Sequence, residues 1–375
     1  MQKLITIKRD ESILVSSKIE SFLKPDYVYL PLLDEKGILV HLKNKVKIGD
    51  ELEQHSSYLA PVSGVVRGLK KMNSLEHVTY YFEIENDFEE RRKEEVGAKR
   101  KVSKKEFLML FPDLAHKKNV VLNAIDDEIY VSTENFYLFL HYEEFLELLD
   151  EMYQLFSLET IYVCLRASSS ENINQLMSDL GMYPHIELKM VPDTYLLGHS
   201  SFLLSYLGLQ EEKTEVIRAS RFYHAYNLLV RGRTKSDQLL TISGDAVKKS
   251  FVVQVKIGSL LKDIVKEFVE IIHDDVLYFA NGLMAGKEIT LDSFVVTDEL
   301  DGLLIMKRKE KKKEEKCIRC GLCHDICPVH LQPLLFSNPN YFEQAKKECI
   351  KCGLCSYICP VHIQFLLDRK EDNHE

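Results

Sequence analysis

The stretch Cys317-Ile-Arg-Cys-Gly-Leu-Cys-His-Asp-Ile-Cys-Pro328 dictates how the C-terminal part of the chain folds. It recurs thirty-two residues later as Cys349-Ile-Lys-Cys-Gly-Leu-Cys-Ser-Tyr-Ile-Cys-Pro360. Both runs have the spacing C-x2-C-x2-C-x3-C-P, in which cysteine thiolates hold a [4Fe–4S] cluster. Gly321 and Gly353 let the backbone come close to the inorganic sulfides. The two runs therefore predict an iron–sulfur domain that holds two clusters.

The fourth cysteine of each run is predicted to serve the other run, because in two-cluster proteins with this spacing it ligates the opposite cluster. The first predicted ligand set is Cys317, Cys320, Cys323 and Cys359. The second predicted ligand set is Cys349, Cys352, Cys355 and Cys327. Two zinc sites are the alternative, but zinc ribbons use separated C-x2-C pairs rather than triplets. His330 and His362 follow the runs at matching places and are not predicted ligands, because four cysteines satisfy each cluster.

Composition limits the class of protein. The 375 residues are 45% hydrophobic and 29% charged, which is ordinary for a water-soluble chain of several domains. The net charge of −9 argues against nucleic acid as a partner, and no apolar run is long enough to span a membrane. Eight of the nine cysteines lie in the two runs, so no disulfide framework is expected and a cytoplasmic location is predicted. The ninth, Cys164, lies in an apolar run and is predicted to be a core residue.

The first part of the chain is predicted to be β-rich. Segments 27–33 and 38–42 have strand composition, and turns rich in Gly, Pro and Ser favour a barrel-sandwich domain over residues 1–88. No lysine stands at the hairpin tip to carry lipoate or biotin, so a structural role is predicted. Residues 89–118 are predicted to form a charged connector with a helix.

Alternating strands and helices follow the connector. Strands at 120–122, 161–165 and 186–191 are separated by helices at 142–156 and 170–180, which predicts a parallel sheet within a Rossmann-like α/β domain over 119–235. Further helices are predicted at 200–207 and 216–230. The last segments are a small mixed domain over 236–306, a basic linker over 307–316 and the cluster domain over 317–375.

This order of modules resembles the C subunit of the Rnf complex, a membrane-bound ferredoxin:NAD oxidoreductase. The cysteine runs carry the resemblance, supported by short matches at Ala60–Gly64, Val121–Ala124, Val191–Tyr195 and Thr241–Val247. The resemblance implies a flavin domain like the NADH-binding subunit of complex I and a ubiquitin-like ligand-binding (SLBB) domain over 236–306. It also implies membrane-bound electron-transport partners, a ferredoxin- or flavin-type redox partner, and a peripheral location at the inner face of the cell membrane.

The stretch that should bind the flavin departs from the family pattern. Family members carry a Gly-Gly-rich loop whose backbone N–H groups cradle the flavin phosphate. The corresponding stretch here, Val96–Phe107, holds one glycine among several lysines. Asn123 and Asp127 still match the family pattern after the first strand, and they are the remaining flavin-site candidates.

Two interpretations follow from this departure. In the first, which we favour, FMN is not bound and the sheet domain is a scaffold. In the second, FMN binds through side-chain charges in place of glycine amides. The residues that would supply those charges are Lys99, Arg100, Lys101, Lys104 and Lys105.

The predicted function is electron transfer through two [4Fe–4S] clusters, as one subunit within an oxidoreductase complex. A full flavin-dependent NADH-oxidising subunit is one alternative. A non-catalytic iron–sulfur scaffold or redox sensor is the other.

Overall fold

The computed structural model describes residues 15–54, 56–93, 101–168, 173–308 and 316–365. The strands are β1 (Val15–Phe22), β2 (Tyr27–Pro31), β3 (Lys45–Val46), β4 (Gly64–Asn73), β5 (Val78–Asn86), β6 (Asn119–Asn123), β7 (Thr160–Arg166), β8 (Ile186–Val191), β9 (Thr214–Arg218), β10 (Asp237–Ser243), β11 (Ser250–Lys256), β12 (Val276–Ala280), β13 (Lys287–Ile289) and β14 (Gly302–Lys307). The helices are α1 (Lys104–Leu110), α2 (Thr133–Phe156), α3 (Ile173–Leu180), α4 (Ser200–Leu207), α5 (Ala219–Leu229), α6 (Leu261–Phe268), α7 (Leu322–Asp325), α8 (Pro339–Glu348) and α9 (Leu354–Ile358). Within these ranges, no helix combines the length and apolar character needed to cross a membrane.

A four-stranded antiparallel sheet in the order β2-β5-β4-β3 forms the first structural unit. The strand predicted at 38–42 is wrong, since only Ile38 makes an isolated bridge there, to Glu53. Leu39 and Leu42 are exposed, while Ile38 and Val40 pack against the core of this sheet without pairing as a strand. The buried Glu53 carboxylate instead accepts the backbone N–H groups of Leu33 and Asp34 and holds the chain in a turn.

The second unit is a four-stranded parallel sheet in the order β8-β7-β6-β9, as the alternation of strands and helices predicts. One face packs on α1, α2, α3 and α5, and the other packs on α4 and the loops that precede it. Cys164 is fully buried in that second core, where burial raises the pKa of its thiol to about 12. The prediction that Cys164 is a core residue is confirmed.

The prediction of one helix over 216–230 is wrong at its start. The chain first forms β9, whose residues pair in register with β6, and only then turns into α5. Val216 and Ile217 are β-branched, and Ile217 is fully buried between the sheet and its helices, which favours a strand. The helix predicted at 142–156 is confirmed, but α2 begins earlier, at Thr133, and passes through a non-helical residue at His141.

The third unit is a six-stranded sheet in the order β1-β11-β10-β14-β12-β13, with α6 packed in its core. Its first strand comes from the N-terminal end of the chain, although the sequence pattern assigns residues 1–88 to a single domain. The pairing of β1 with β11 is parallel, from Val15 opposite Ser250 to Phe22 opposite Val255. This pairing covers a sheet edge that would otherwise present unpaired backbone groups. The chain therefore forms an edge strand of the third unit, β1, before it enters the first unit at β2.

Candidate iron–sulfur centres and the edge of the parallel sheet

The two cysteine runs have the same backbone conformation. α7 and α9 each begin directly after a glycine with positive φ, Gly321 at 81° and Gly353 at 74°. Arg319 and Lys351 occupy matching places and also have positive φ, 55° in each case. A left-handed conformation costs a residue other than glycine roughly 1–2 kcal/mol, so it indicates a constraint on the loop. The repeat in the sequence is therefore a repeat in structure.

Backbone N–H groups point at cysteine sulfurs in both loops. The N–H of Arg319 donates to Cys317 Sγ at 3.3 Å, and that of Lys351 donates to Cys349 Sγ at 3.4 Å. The N–H of Leu331 donates to Cys327 Sγ at 3.2 Å. Such donors stabilise negative charge on sulfur, which suits thiolate ligands. The positive φ values of Arg319 and Lys351 are thus part of a geometry that aims N–H groups at sulfur.

Each predicted ligand set lines a single cavity. One cavity is lined by Cys327, Cys349, Cys352 and Cys355, together with Val329, Leu331, Phe336 and Phe365. The other is lined by Cys317, Cys320, Cys323 and Cys359, together with Ile318, Leu322, Leu334 and Val361. Four thiols within apolar walls are the donor set that a [4Fe–4S] cluster requires, so these residues fit the group. Burial raises the pKa of the Cys352 thiol to about 11 and of Cys355 to about 12, so iron binding must release their protons.

The two cavities differ in their surroundings. Cys317, Cys320 and Ile318 are exposed around the first cavity. Beside the second, Leu354 is fully buried in a cluster with Tyr195 and Met284, which come from other parts of the chain. The spacing of the cysteines carries no signal for these neighbours, because they lie far from the runs in the chain.

Asn123 and Asp127 lie at the carboxyl edge of the parallel sheet, where ligands bind in folds of this kind. The buried Asn123 side chain donates to the carbonyl of Gly198 at 2.7 Å and accepts the N–H of Ile125 at 3.1 Å. Its amide is therefore engaged within the protein. Asp127 lies 3.4 Å from Arg218. The two flavin-site candidates are brought to the same edge, and both interact with groups of this chain.

Arg218 is the centre of a charged network at this edge. Its guanidinium donates to Glu134 at 2.9 Å and to Asp301 at 3.1 Å. The Glu134 carboxylate is fully buried and also accepts the N–H and hydroxyl of Ser220. Burial raises the pKa of Glu134 above the ordinary range of a carboxyl, while the Arg218 guanidinium acts against that shift. The network joins the parallel sheet to Asp301, which precedes β14 of the third unit.

A second arginine closes the same edge. Arg166 is buried, and its guanidinium donates to the carbonyls of Asp126 at 2.8 Å and Thr194 at 3.3 Å. Asn123, Arg166 and Arg218 are side-chain donors at this edge, and oxygens of this chain engage them. Lys99 and Arg100, which belong to the side-chain alternative, lie outside the described residues.

Comparison with known protein families identifies the class of the C-terminal domain. Residues 311–365 match the family model of the 4Fe-4S dicluster domain. An iron–sulfur domain at the C-terminus, behind a mixed α/β fold with a parallel sheet, is therefore established.

The relatives then bear out the resemblance to the Rnf complex and its C subunit. The chain is 20% identical to the C subunit of the ion-translocating oxidoreductase complex of Buchnera aphidicola, over 57% of this chain and 48% of the relative. It is 23% identical to the C subunit of the Na(+)-translocating ferredoxin:NAD(+) oxidoreductase complex of Acetobacterium woodii, over 57% of this chain and 51% of the relative. The chain thus spans about half the length of these curated relatives. An NAD+-reducing [NiFe]-hydrogenase structure aligns with a TM-score of 0.45 and 12% identity, over 66% of this chain and 55% of that one.

Replacing Arg218 by Met should destabilise the protein more at high pH than at low pH. Without its cation the buried Glu134 has a pKa raised further above that of the unfolded chain, so stability is lost as pH rises through the folded value. We expect a loss of roughly 2–4 kcal/mol in unfolding free energy near about pH 8, and a smaller loss near about pH 5. Urea unfolding at each of the two pH values measures the loss in unfolding free energy.

The matched control is Arg231→Met. Arg231 makes a 3.0 Å ion pair with Glu144, which is partly exposed. Its loss should cost about 1 kcal/mol or less, with little dependence on pH. Equal losses at the two pH values in the Arg218 variant would show that Glu134 carries no buried charge.

Proposed function

We propose that the chain is an iron–sulfur electron-transfer subunit, which relays single electrons through two [4Fe–4S] centres to or from a membrane-associated oxidoreductase complex. The observation that carries this proposal is that each predicted set of four cysteines lines one cavity, with one member taken from the other run. The names of the relatives, which are C subunits of ion-translocating oxidoreductase complexes, support the kind of assembly.

The ligand assignment that we propose is the crossed one. Cys317, Cys320, Cys323 and Cys359 hold the first centre. Cys349, Cys352, Cys355 and Cys327 hold the second centre. A [4Fe–4S] cluster supplies one-electron transfer when bound. The thiolates fix its position, the N–H groups of Arg319, Lys351 and Leu331 stabilise charge on the sulfurs, and the apolar walls exclude water.

The crossed arrangement has a consequence for electron transfer. Cys327 and Cys359 each follow the helical turn of one run and line the cavity of the other. The two centres must then lie side by side, because a single short run of chain reaches both. Adjacent centres are what a relay of single electrons needs.

We infer that this chain does not bind FMN, and that the full NADH-oxidising alternative does not apply to it. The inference rests on Arg166 and Arg218, whose guanidinium groups are held by Asp126, Thr194, Glu134 and Asp301 at the edge where a flavin would lie. The parallel-sheet unit then serves as a scaffold for the cluster domain.

The proposed domains keep the boundaries that the sequence predicts. They are a barrel-sandwich domain (1–88), a connector (89–118), a Rossmann-like domain (119–235), an SLBB-like domain (236–306), a basic linker (307–316) and a ferredoxin-type domain (317–375). In this scheme β1 is contributed by the first domain to the SLBB-like sheet. We propose a cytoplasmic protein at the inner face of the cell membrane, whose partners are membrane-bound electron-transport subunits and a ferredoxin- or flavin-type redox protein.

Cofactor content tests the proposal directly. Anaerobically purified or reconstituted protein should contain about eight iron and about eight acid-labile sulfide per chain, and no flavin. Zinc in place of iron would overturn the electron-transfer function. One bound FMN per chain, with full iron, would overturn the scaffold role of the sheet and require an assay of NADH oxidation.

Single cysteine variants test the crossed assignment. Cys359→Ser should alter the same electron paramagnetic resonance (EPR) signal as Cys317→Ser, and Cys327→Ser should alter the same signal as Cys349→Ser, because each pair serves one centre. Cys164→Ala is the control, since this buried core cysteine lies in the parallel sheet and should leave both signals unchanged. If Cys359→Ser instead matches Cys349→Ser, each run ligates its own cluster.

A further inference from the structure

The second cysteine loop is braced by residues that lie far from it in the sequence. The hydroxyl of Tyr195 donates to the backbone carbonyl of Cys352 at 2.7 Å. Tyr195 is only 5% exposed and follows β8 of the parallel-sheet unit. A phenolic hydroxyl is protonated near neutral pH and can therefore act as the donor. A buried donor is therefore fixed on the peptide of a proposed cluster ligand.

Glu128 contacts Tyr195 and the loop that carries Met284, and we call these three parts together the brace. It is 8% exposed, and its carboxylate accepts the backbone N–H groups of Ala285 at 2.7 Å and Met284 at 3.2 Å. Its Oε1 lies 3.5 Å from the Tyr195 hydroxyl. Gly282, with φ of 106°, packs so closely on the Glu128 side chain that a Cβ there would overlap it. Glu128 thus joins the loop after β6 to the loop between β12 and β13.

The loop between β12 and β13, which carries Met284, lies directly against the second cysteine run. A Cβ on Gly353 would overlap the carbonyl oxygen of Met284, so only glycine lets the two backbones meet. The equivalent Gly321 of the first run has a similar positive φ, and a Cβ there would meet nothing within 4 Å. The two runs share their ligand pattern and their conformation. They differ in what they pack on.

We propose that Tyr195 is a positioning residue for the second iron–sulfur centre, held in place with Glu128 and the Met284 loop, and that this brace makes the two centres inequivalent. The inference rests on the proposed function, because it concerns the centre held by Cys349, Cys352, Cys355 and Cys327. The Tyr195 hydroxyl draws electron density from the Cys352 carbonyl, which stabilises the additional negative charge of the reduced centre. Cluster type, net charge, hydrogen bonds to the sulfurs and solvent exposure set such potentials, and the contact acts on them by fixing the Cys352 peptide. The first centre, with Cys317 and Cys320 exposed, has no counterpart to this brace among the described residues that line its cavity.

The test is a potentiometric titration of the full chain with both centres loaded, followed by EPR. Tyr195→Phe should shift the midpoint potential of the second centre to a more negative value and leave the first unchanged. The second centre is identified as the signal that Cys327→Ser alters. Tyr81→Phe is the matched control, because Tyr81 is also fully buried and its hydroxyl also donates to a backbone carbonyl, that of His77 at 3.1 Å.

A glycine pair keeps the proposal testable if the Tyr195 variant folds poorly. Gly353→Ala and Gly321→Ala introduce the same left-handed strain, but only the first collides with Met284. Gly353→Ala should therefore shift the potential of the second centre more than Gly321→Ala shifts that of the first. Hydrogen exchange of the amides at 352–354 should also become faster in Tyr195→Phe, a readout that does not depend on activity.

The outcomes separate this proposal from the proposed function. Protein that binds no iron–sulfur cluster defeats the proposed function itself. Fully loaded protein in which Tyr195→Phe behaves like Tyr81→Phe, or moves both potentials equally, overturns the brace and leaves the electron-transfer role standing.

Discussion

The structure of the C-terminal domain depends on one constraint, which is that each set of four sulfurs must converge on one cavity although no run supplies all four. Three cysteines of a run surround their cavity from a loop with left-handed turns at Arg319 and Gly321, or at Lys351 and Gly353. The fourth must come from the other run, because the helical turn that follows each loop carries it away. The two runs therefore fold as one unit, with α7 and α9 as its repeated elements. Backbone N–H groups beside these helices donate to cysteine sulfurs.

The parallel-sheet unit has a second constraint, at the edge where folds of this type bind their ligands. Arg218 bridges Glu134 and Asp301 there, and Arg166 spans the carbonyls of Asp126 and Thr194. A buried carboxylate without a cation is costly, so Glu134 and Arg218 depend on each other. These contacts stabilise the edge, and they also support our proposal that the chain does not bind FMN.

Between these two regions lies the brace made by Tyr195, Glu128 and the Met284 loop. It connects the parallel-sheet unit to the cluster domain, because it holds the peptide of Cys352 from one side. The repeat in the chain would make two equal centres if the runs stood alone. We propose that the packing of Tyr195 and the Met284 loop on the second run makes the two centres different.

Features that depend on short spacings could be predicted from the amino-acid sequence. The cysteine pattern predicted which four cysteines line each cavity, and alternating apolar segments predicted the parallel pairing of β6, β7 and β8. Such features are local, because a ligand loop or a strand needs only a few neighbouring residues. The pairing of β1 with β11, the strand at β9 and the contact of Tyr195 with Cys352 became visible only in the folded chain. Each of these joins residues far apart in the chain, where burial and unpaired backbone groups, rather than local pattern, select the partner.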